Sequence, residues 1–310
     1  MADQIRGPRL PGEKKAQITT SSSKSTPSGT EQSSLLRASK RGIDNSTGEE
    51  RWTRDLFIRN GQLYAYVLEA KREEGIAIAK EINDFLRSEG IEQGNILDIP
   101  CGTGRVSIPL SIQHRHNVVG VDLSPHLVEM ASKKDPNGKT RFLVGDMQNL
   151  SELFKDKKPG SFDAAINVFT SIGYGTEEDD MIFFRSLREL VRDNGFFIIH
   201  TLMNKDYLNA HFDENPIGYI DAGKLMVYET RQWDRETSHV TSKREFYEKI
   251  DHDFNFLGES RSDMRIYSPE EVMQILSATG WRPICAFDNL SDKRKVTPET
   301  MRFVVVARAN

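Results

Sequence analysis

The stretch Asn95-Ile-Leu-Asp-Ile-Pro-Cys-Gly-Thr-Gly-Arg105 sets an acid and two closely spaced glycines between a short apolar run and a helix-like run. Residues 96–99 read as a buried strand interrupted only by Asp98, and residues 106–112 begin a helix. Gly102 and Gly104 let the backbone turn tightly and come close to a ligand. A strand, a glycine turn and a helix in this order is how an open α/β sheet holds a nucleotide-containing ligand. A Gly-x-Gly by itself is also an ordinary loop, so the following segments decide between the two.

Two further acids stand in matching places. Val118-Val-Gly-Val-Asp122 is a second apolar run ending in a carboxylate, twenty residues after Gly102, a spacing that lets an acid reach a ribose hydroxyl. Arg141-Phe-Leu-Val-Gly-Asp-Met147 repeats the pattern. Aspartate is a common turn residue and helix cap, so each junction alone means little. Three in succession, at Asp98, Asp122 and Asp146, would line one carboxyl edge of a parallel sheet, where ligands bind.

These motifs resemble the class I S-adenosylmethionine-dependent methyltransferases. The resemblance implies a doubly wound, Rossmann-like sheet of seven strands in the order 3-2-1-4-5-7-6, the last strand antiparallel. It implies that Asp98, Gly102 and Gly104 surround the methionine part of the cofactor, with Pro100, Cys101, Thr103 and Arg105 in the same turn. Asp122 and Leu123 would meet the ribose, Gly145, Asp146 and Met147 the adenine, and Tyr64 and Asn167 would complete the cofactor site. Pro100 replaces the family's first glycine and stiffens the strand end. The resemblance covers about residues 50–308. It includes Phe162-Asp-Ala-Ala-Ile-Asn-Val-Phe-Thr-Ser-Ile-Gly-Tyr174, which is similar to the fourth strand and following loop of a subgroup whose members mostly lack an assigned substrate.

Composition narrows the field. A net charge of −4 over 310 residues argues against a general electrostatic grip on nucleic acid. Cys101 and Cys285 form neither a disulfide framework nor a zinc pattern, which points to a reducing compartment and hence the cytoplasm. Residues 1–50 are rich in Ser, Thr and Lys and hold few apolar residues beyond Leu35 and Leu36, so they read as a disordered tail. They contain no apolar core of a secretory signal, and no run of the chain approaches a membrane span. Residues 51–310 read as one methyltransferase domain.

Structure is legible from Trp52 onward. Ile78, Ile82 and Phe85 recur at helical spacing ahead of Gly90, and Ser124-Pro125 reads as an N-cap followed by a first-turn proline. Phe183, Phe184, Leu187, Leu190 and Val191 form the apolar face of a helix ended by Gly195, before a strand over 196–200. Ser268-Pro-Glu-Glu271 is a capping box. Within 211–265 the rhythm changes, and 224–233 and 239–249 read as an antiparallel hairpin. Neither face of its second strand is cleanly apolar, which suits a solvated strand, a cover over the active-site edge, or a homodimer contact.

Methyl transfer from a sulfonium needs alignment and exclusion of water, with no metal and no covalent nucleophile. A hydroxyl acceptor gains from a base, whereas an amine must only be unprotonated. His200, at the end of the fifth strand, and Tyr174, after the fourth, are the candidate catalytic groups, and Ser171, Arg231, Arg265 and Tyr267 are candidate substrate contacts. The expected reaction is methyl transfer to nitrogen or oxygen of a small molecule. The alternatives are an RNA or protein methyltransferase, an NAD(P)-dependent oxidoreductase, and a cofactor-binding protein without catalysis. The absence of an Asn-Pro-Pro-Tyr signature after the fourth strand counts against methylation of nucleic-acid bases, and Ser107 at the third glycine position counts against a dinucleotide.

Overall fold

Near-continuous burial along the central strands shows that both faces of their sheet are covered. In β1 (Asn95–Asp98), Leu97 packs with one hydrophobic cluster and Ile96 with another, so both faces of the strand are covered, as a parallel sheet requires. The computed structural model describes residues 52–135, 137–212 and 217–310. The tail expected over residues 1–50 lies outside the described residues.

Seven strands form the main sheet: β1, β2 (Asn117–Asp122), β3 (Arg141–Val144), β4 (Phe162–Val168), β5 (Val191–Thr201), β10 (Trp281–Phe287) and β11 (Phe303–Ala309). Their order is β10-β11-β5-β4-β1-β2-β3, with β11 antiparallel to both neighbours. This is the expected order. Before the sheet come α1 (Trp52–Arg54), a π-helical turn Asp55–Arg59, α2 (Gly61–Glu69) and α3 (Arg72–Ser88). The connections α4 (Ser107–Ile112), α5 (Pro125–Lys134), α6 (Leu150–Leu153), α7 (Glu177–Leu190), α8 (Lys205–His211) and α9 (Pro269–Ala278) follow. Ile78 and Ile82 of α3 pack with Leu110 of α4 on one face of the sheet, and Phe183 and Leu187 of α7 pack with Val272 and Leu276 of α9 on the other. Each large side chain so buried contributes about 1.5–3 kcal/mol.

The helix boundaries follow their sequence signals with one exception. The Ser124 hydroxyl accepts from the Leu127 amide, and Ser268 and Glu271 complete a reciprocal capping box. Helix α7, however, ends at Leu190 and β5 already starts at Val191, earlier than Gly195 suggested. Val191 pairs with Phe162, and regular pairing resumes only at Ala164 with Phe196. The extra residues form an irregularity in which Asn194 takes a positive φ of 60°.

The insertion is larger than a hairpin. It is a four-stranded antiparallel meander of β6 (Ile217–Ala222), β7 (Leu225–Asp234), β8 (His239–Ile250) and β9 (Asp253–Arg265). The expected hairpin is its middle, β7 with β8. One face buries Val227 and Phe246 against Leu56 and Val67, and Val240 and Met264 against Leu208 and Ile266. Between these apolar ends lies a polar row in which buried Glu229 pairs with Arg231 and Arg244, both at 2.6 Å. That row explains why the strand showed no clean apolar face.

Candidate active site

The carboxyl ends of β1 to β4 open onto a cleft. Asp98, Pro100, Cys101, Gly102 and Arg105 line it from the first turn, Asp122 and Leu123 from the second, and Gly145, Asp146 and Met147 from the third. The glycine turn is shaped by φ values of 54° at Gly102 and 75° at Gly104. A Cβ on Gly104 would lie 3.0 Å from Ile108 and from Phe142, so this position has room only for hydrogen. The Ile99–Pro100 bond is cis. Thr103 and Gly104 serve the turn from behind and do not line the cleft. The Thr103 hydroxyl donates to Glu69 at 2.5 Å, and Glu69 also pairs with Lys134 of α5, which ties the turn to α2 and α5.

Two buried acids face each other across this wall. Asp122 accepts from the Gly102 amide at 2.8 Å and from the Ser124 amide at 2.9 Å, one bond to each carboxylate oxygen. Each oxygen keeps a second lone pair for a ligand hydroxyl. Burial pushes its carboxyl up to about 6, against the pull of those amides. Asp98 accepts from the Ser107 hydroxyl, and burial, reinforced by the charge of Asp122, pushes it up to about 7. Asp146 accepts from the Gln148 amide at 2.9 Å and caps the turn Met147–Asn149. The Cys101 thiol is buried, and that burial pushes its pKa up, so it is no nucleophile at neutral pH.

Arg105 is 7% exposed, lies 3.6 Å over the ring of Phe169, and carries a buried Nη1 without a hydrogen-bond partner. Burial lowers its pKa from the usual guanidinium range. A buried donor left unpaired is costly, so this guanidinium is poised for an anionic group. Phe169 and Thr170 hold the loop after β4 in positive φ, 69° and 61°, with the Thr170 amide bonded to the His200 carbonyl at 3.1 Å and its hydroxyl accepting from the Leu202 amide. Strained backbone of this kind collects at functional sites.

The opposite wall is aromatic. Tyr174 lies 4.9 Å from Trp52 and 5.8 Å from Phe57, and Phe57 lies 5.3 Å from Tyr64. Phe57, Tyr64, Ser171 and Tyr174 line the cleft. Burial pushes the Tyr174 phenol far above its ordinary pKa, so it stays neutral.

The remaining sequence candidates lie elsewhere. His200 does not line the cleft, because strand alternation places it on the same side of β5 as Phe196 and Ile198. Its ring packs 5.7 Å from Phe169, its Nδ1 is buried without a partner, and burial lowers its pKa to about 4. Asn167 is fully buried and braces the site from beneath, donating to the Ile99 carbonyl at 2.9 Å. Arg231 is spent on Glu229 of the insertion. Arg265 pairs with Glu177 at 2.7 Å, and the Tyr267 hydroxyl donates to Asp180 at 2.7 Å, so neither reaches the cleft. Sequence reasoning passed over Thr53, Arg54, Gln148, Phe169 and Asp179, which do line it. Gln148 and Phe169 directly follow strand-end motifs and could have been found by position. Thr53 and Arg54 carry no such signal.

Residues 96–195 match the methyltransferase domain family. Over these residues the chain carries a methyltransferase domain, and it resembles the class I S-adenosylmethionine-dependent methyltransferases. Among curated relatives, the putative methyltransferase YqeM of Bacillus subtilis is 31% identical over 109 residues, 34% of this chain and 42% of YqeM. The chain spans less than half the length of the curated relatives it matches. Its fold is shared with a S-adenosylmethionine-dependent methyltransferase from Clostridium acetobutylicum, at a TM-score of 0.63 and 20% identity over 75% of this chain and 91% of that one. It is also shared with the sugar N-methyltransferase KedS8 from Streptoalloteichus, at 0.61 and 19% over 88% and 98%. The cleft wall fits S-adenosylmethionine in kind: free lone pairs on Asp122 for hydroxyls, and an unpaired guanidinium at Arg105 for a carboxylate.

Proposed function

We propose that this methyltransferase moves the methyl group of S-adenosylmethionine to a small-molecule acceptor, and that of the nitrogen and oxygen acceptors open to it the acceptor atom is an amine nitrogen. The cofactor supplies an electrophilic methyl on a sulfonium, which leaves as a neutral thioether. The chain's own residues bind, orient and exclude water. Asp122 would take the ribose hydroxyls, Arg105 the carboxylate, and Asp146 with Met147 the adenine side. Asp98, Asp122, Asp146 and Asp179 outnumber Arg54 and Arg105 along the described lining, which favours cationic ligands.

The observation that carries the nitrogen reading is the acceptor wall. It is lined by Phe57 and Tyr64, and by a Tyr174 phenol that burial keeps protonated. His200, the imidazole expected to act as base, is turned to the other face of the sheet. An amine needs no base once unprotonated, and aromatic side chains attract its protonated, cationic form. The fold relative named as a sugar N-methyltransferase is in keeping with this reading.

Calorimetry with S-adenosylmethionine, S-adenosylhomocysteine and NAD tests the cofactor, and binding of NAD alone would overturn the reading. Labelled methyl transfer to a panel of small amines and matched alcohols tests the acceptor. Transfer only to alcohols, or only to RNA, overturns the nitrogen assignment.

We further propose that residues 51–310 act as one catalytic domain, with 211–265 set over the active-site edge. The outward face of the insertion exposes Tyr219 at 59% and Phe256 at 52%, which supports a contact with a second copy. Light scattering in solution tests it, and a monomer at high concentration rejects it. No described helix is long and apolar enough to cross a membrane, and Cys101 and Cys285 are free thiols, in keeping with a cytoplasmic enzyme.

A further inference from the structure

Outside the cleft lies a buried acid with no ion pair among the described residues. Asp180, on α7, is 1% exposed. Its carboxylate accepts from the Gly173 amide at 3.0 and 3.2 Å and from the Tyr267 hydroxyl at 2.7 Å. The nearest guanidinium, Arg265, is engaged with Glu177 and lies 4.8 Å over the Tyr267 ring. Burying a carboxylate without a paired cation costs several kcal/mol, and apolar packing would hold two helices together at less expense. The cost points to a task that only this arrangement performs.

That task is visible at Gly173. Its φ is 76°, its amide is held by Asp180, and its carbonyl accepts from the Arg265 amide at 2.9 Å. A Cβ at Gly173 would overlap the Arg265 carbonyl oxygen. The loop is therefore clamped between α7 on one side and the end of β9 on the other. Its neighbours in sequence, Ser171 and Tyr174, are residues that line the cleft. Tyr267 is fixed in turn, since its carbonyl accepts from the Lys205 amide at 3.2 Å.

We propose that Asp180 and Tyr267 are positioning residues for the acceptor wall, acting through the Gly173 backbone to hold Tyr174 in the cleft. The insertion thereby sets the geometry of the site through its last strand without contributing a group to it. The purpose of the latch rests on the methyl-transfer reading above, but its geometry does not.

The test uses the full chain and two variants, Tyr267→Phe and Asp180→Asn. Hydrogen exchange in peptides spanning 169–176 is expected to quicken about tenfold in Tyr267→Phe, the scale of one lost hydrogen bond to a charged group. Asp180→Asn keeps an oxygen for the Gly173 amide and is expected to show a smaller rise. Near-ultraviolet phenolate absorbance, assigned by difference against the same chain carrying Tyr174→Phe, should show Tyr174 titrating at lower pH once the latch is cut. Affinity for S-adenosylhomocysteine should stay within about twofold, since the latch does not touch the glycine turn. Folded variants with unchanged exchange at 169–176 and an unmoved Tyr174 titration overturn the proposal. A wild-type chain that fails to bind S-adenosylhomocysteine would instead reject the methyl-transfer reading, and the exchange result would still decide the latch.

Discussion

The two walls of the cleft are built in opposite ways. The glycine-turn wall is local: Asp98, Gly102, Arg105 and Asp122 come from consecutive strand ends, with Asp122 held by backbone amides and Asp98 by the Ser107 hydroxyl. The aromatic wall is assembled from afar. Phe57 and Tyr64 come from the first described helical turns, Tyr174 from the loop after β4, and the clamp on that loop from α7 and the end of β9. A wall made of backbone geometry tolerates little substitution. A wall made of packed side chains can be altered stepwise, so the first should carry cofactor affinity and the second acceptor choice.

The largest break in this comparison is expected at Asp122→Ala. It strips two backbone amides, of Gly102 and Ser124, of their acceptor and removes the lone pairs offered to the ligand. Loss of about 2–3 kcal/mol follows from leaving such donors unpaired, or about a hundredfold in affinity for S-adenosylhomocysteine. Calorimetry that finds less than a fivefold loss would show that the acid is only structural. Next in size is Gly104→Ala. The new Cβ meets Ile108 and Phe142 in a backbone of positive φ, so thermal denaturation should reveal about 1–3 kcal/mol of lost stability.

A pH dependence distinguishes the walls further. In the free protein burial raises Asp122 to about 6 and Asp98 to about 7, so both are uncharged at acid pH. Folded-state values above the ordinary carboxyl value of 3.8 mean that their favourable contribution to stability is present in full below that pH and is lost progressively as pH rises from there through 6 to 7. Arg105 is the one cation among the residues of this turn that line the cleft, and it offsets part of that loss. A cationic ligand favours the ionised acids, so affinity for S-adenosylmethionine should rise by about tenfold from pH 5.5 to 7.5 with release of protons. S-adenosylhomocysteine lacks the sulfonium charge and should gain less. Equal pH slopes for the two ligands in calorimetry would count against the acids as counter-charges.

The same contrast explains what could be read in the sequence. Asp98, Asp122 and Asp146 were legible because each ends an apolar run and the carboxyl edge of a parallel sheet gathers such ends together. Sheet order and the capping signals at Ser124 and Ser268 were legible for the same reason, since they are set by neighbours in sequence. His200 misled because the end of a strand is not a direction. Its even-numbered place beside Phe196 and Ile198 sends the ring to the α3 face. Arg265 and Tyr267 misled because their partners, Glu177 and Asp180, are some ninety residues away and nothing in the local pattern announces them. The hairpin's buried face was not legible because Glu229, Arg231 and Arg244 satisfy one another inside a face that alternation alone reads as solvated.

The smallest effect is expected at the residue that the sequence marked most plainly for catalysis. His200→Gln should leave methyl transfer to an amine acceptor within about twofold of wild type, because the ring does not line the cleft and catalytic proton transfer requires hydrogen-bond reach. The histidine is also uncharged throughout the neutral range, with its pKa lowered to about 4, chiefly by burial and then by the charge of Arg302. A base with so low a pKa would be a weak one even if it were within reach. Its replacement should therefore register in thermal stability, through the packing against Phe169, and not in the pH profile of turnover. Tyr174→Phe keeps the ring that meets Trp52 and Phe57 and loses only a neutral hydroxyl, so it should cost a few-fold at most. A hundredfold loss in either variant, with cofactor affinity intact, would place a proton-transfer step on the aromatic wall and favour a hydroxyl acceptor over an amine.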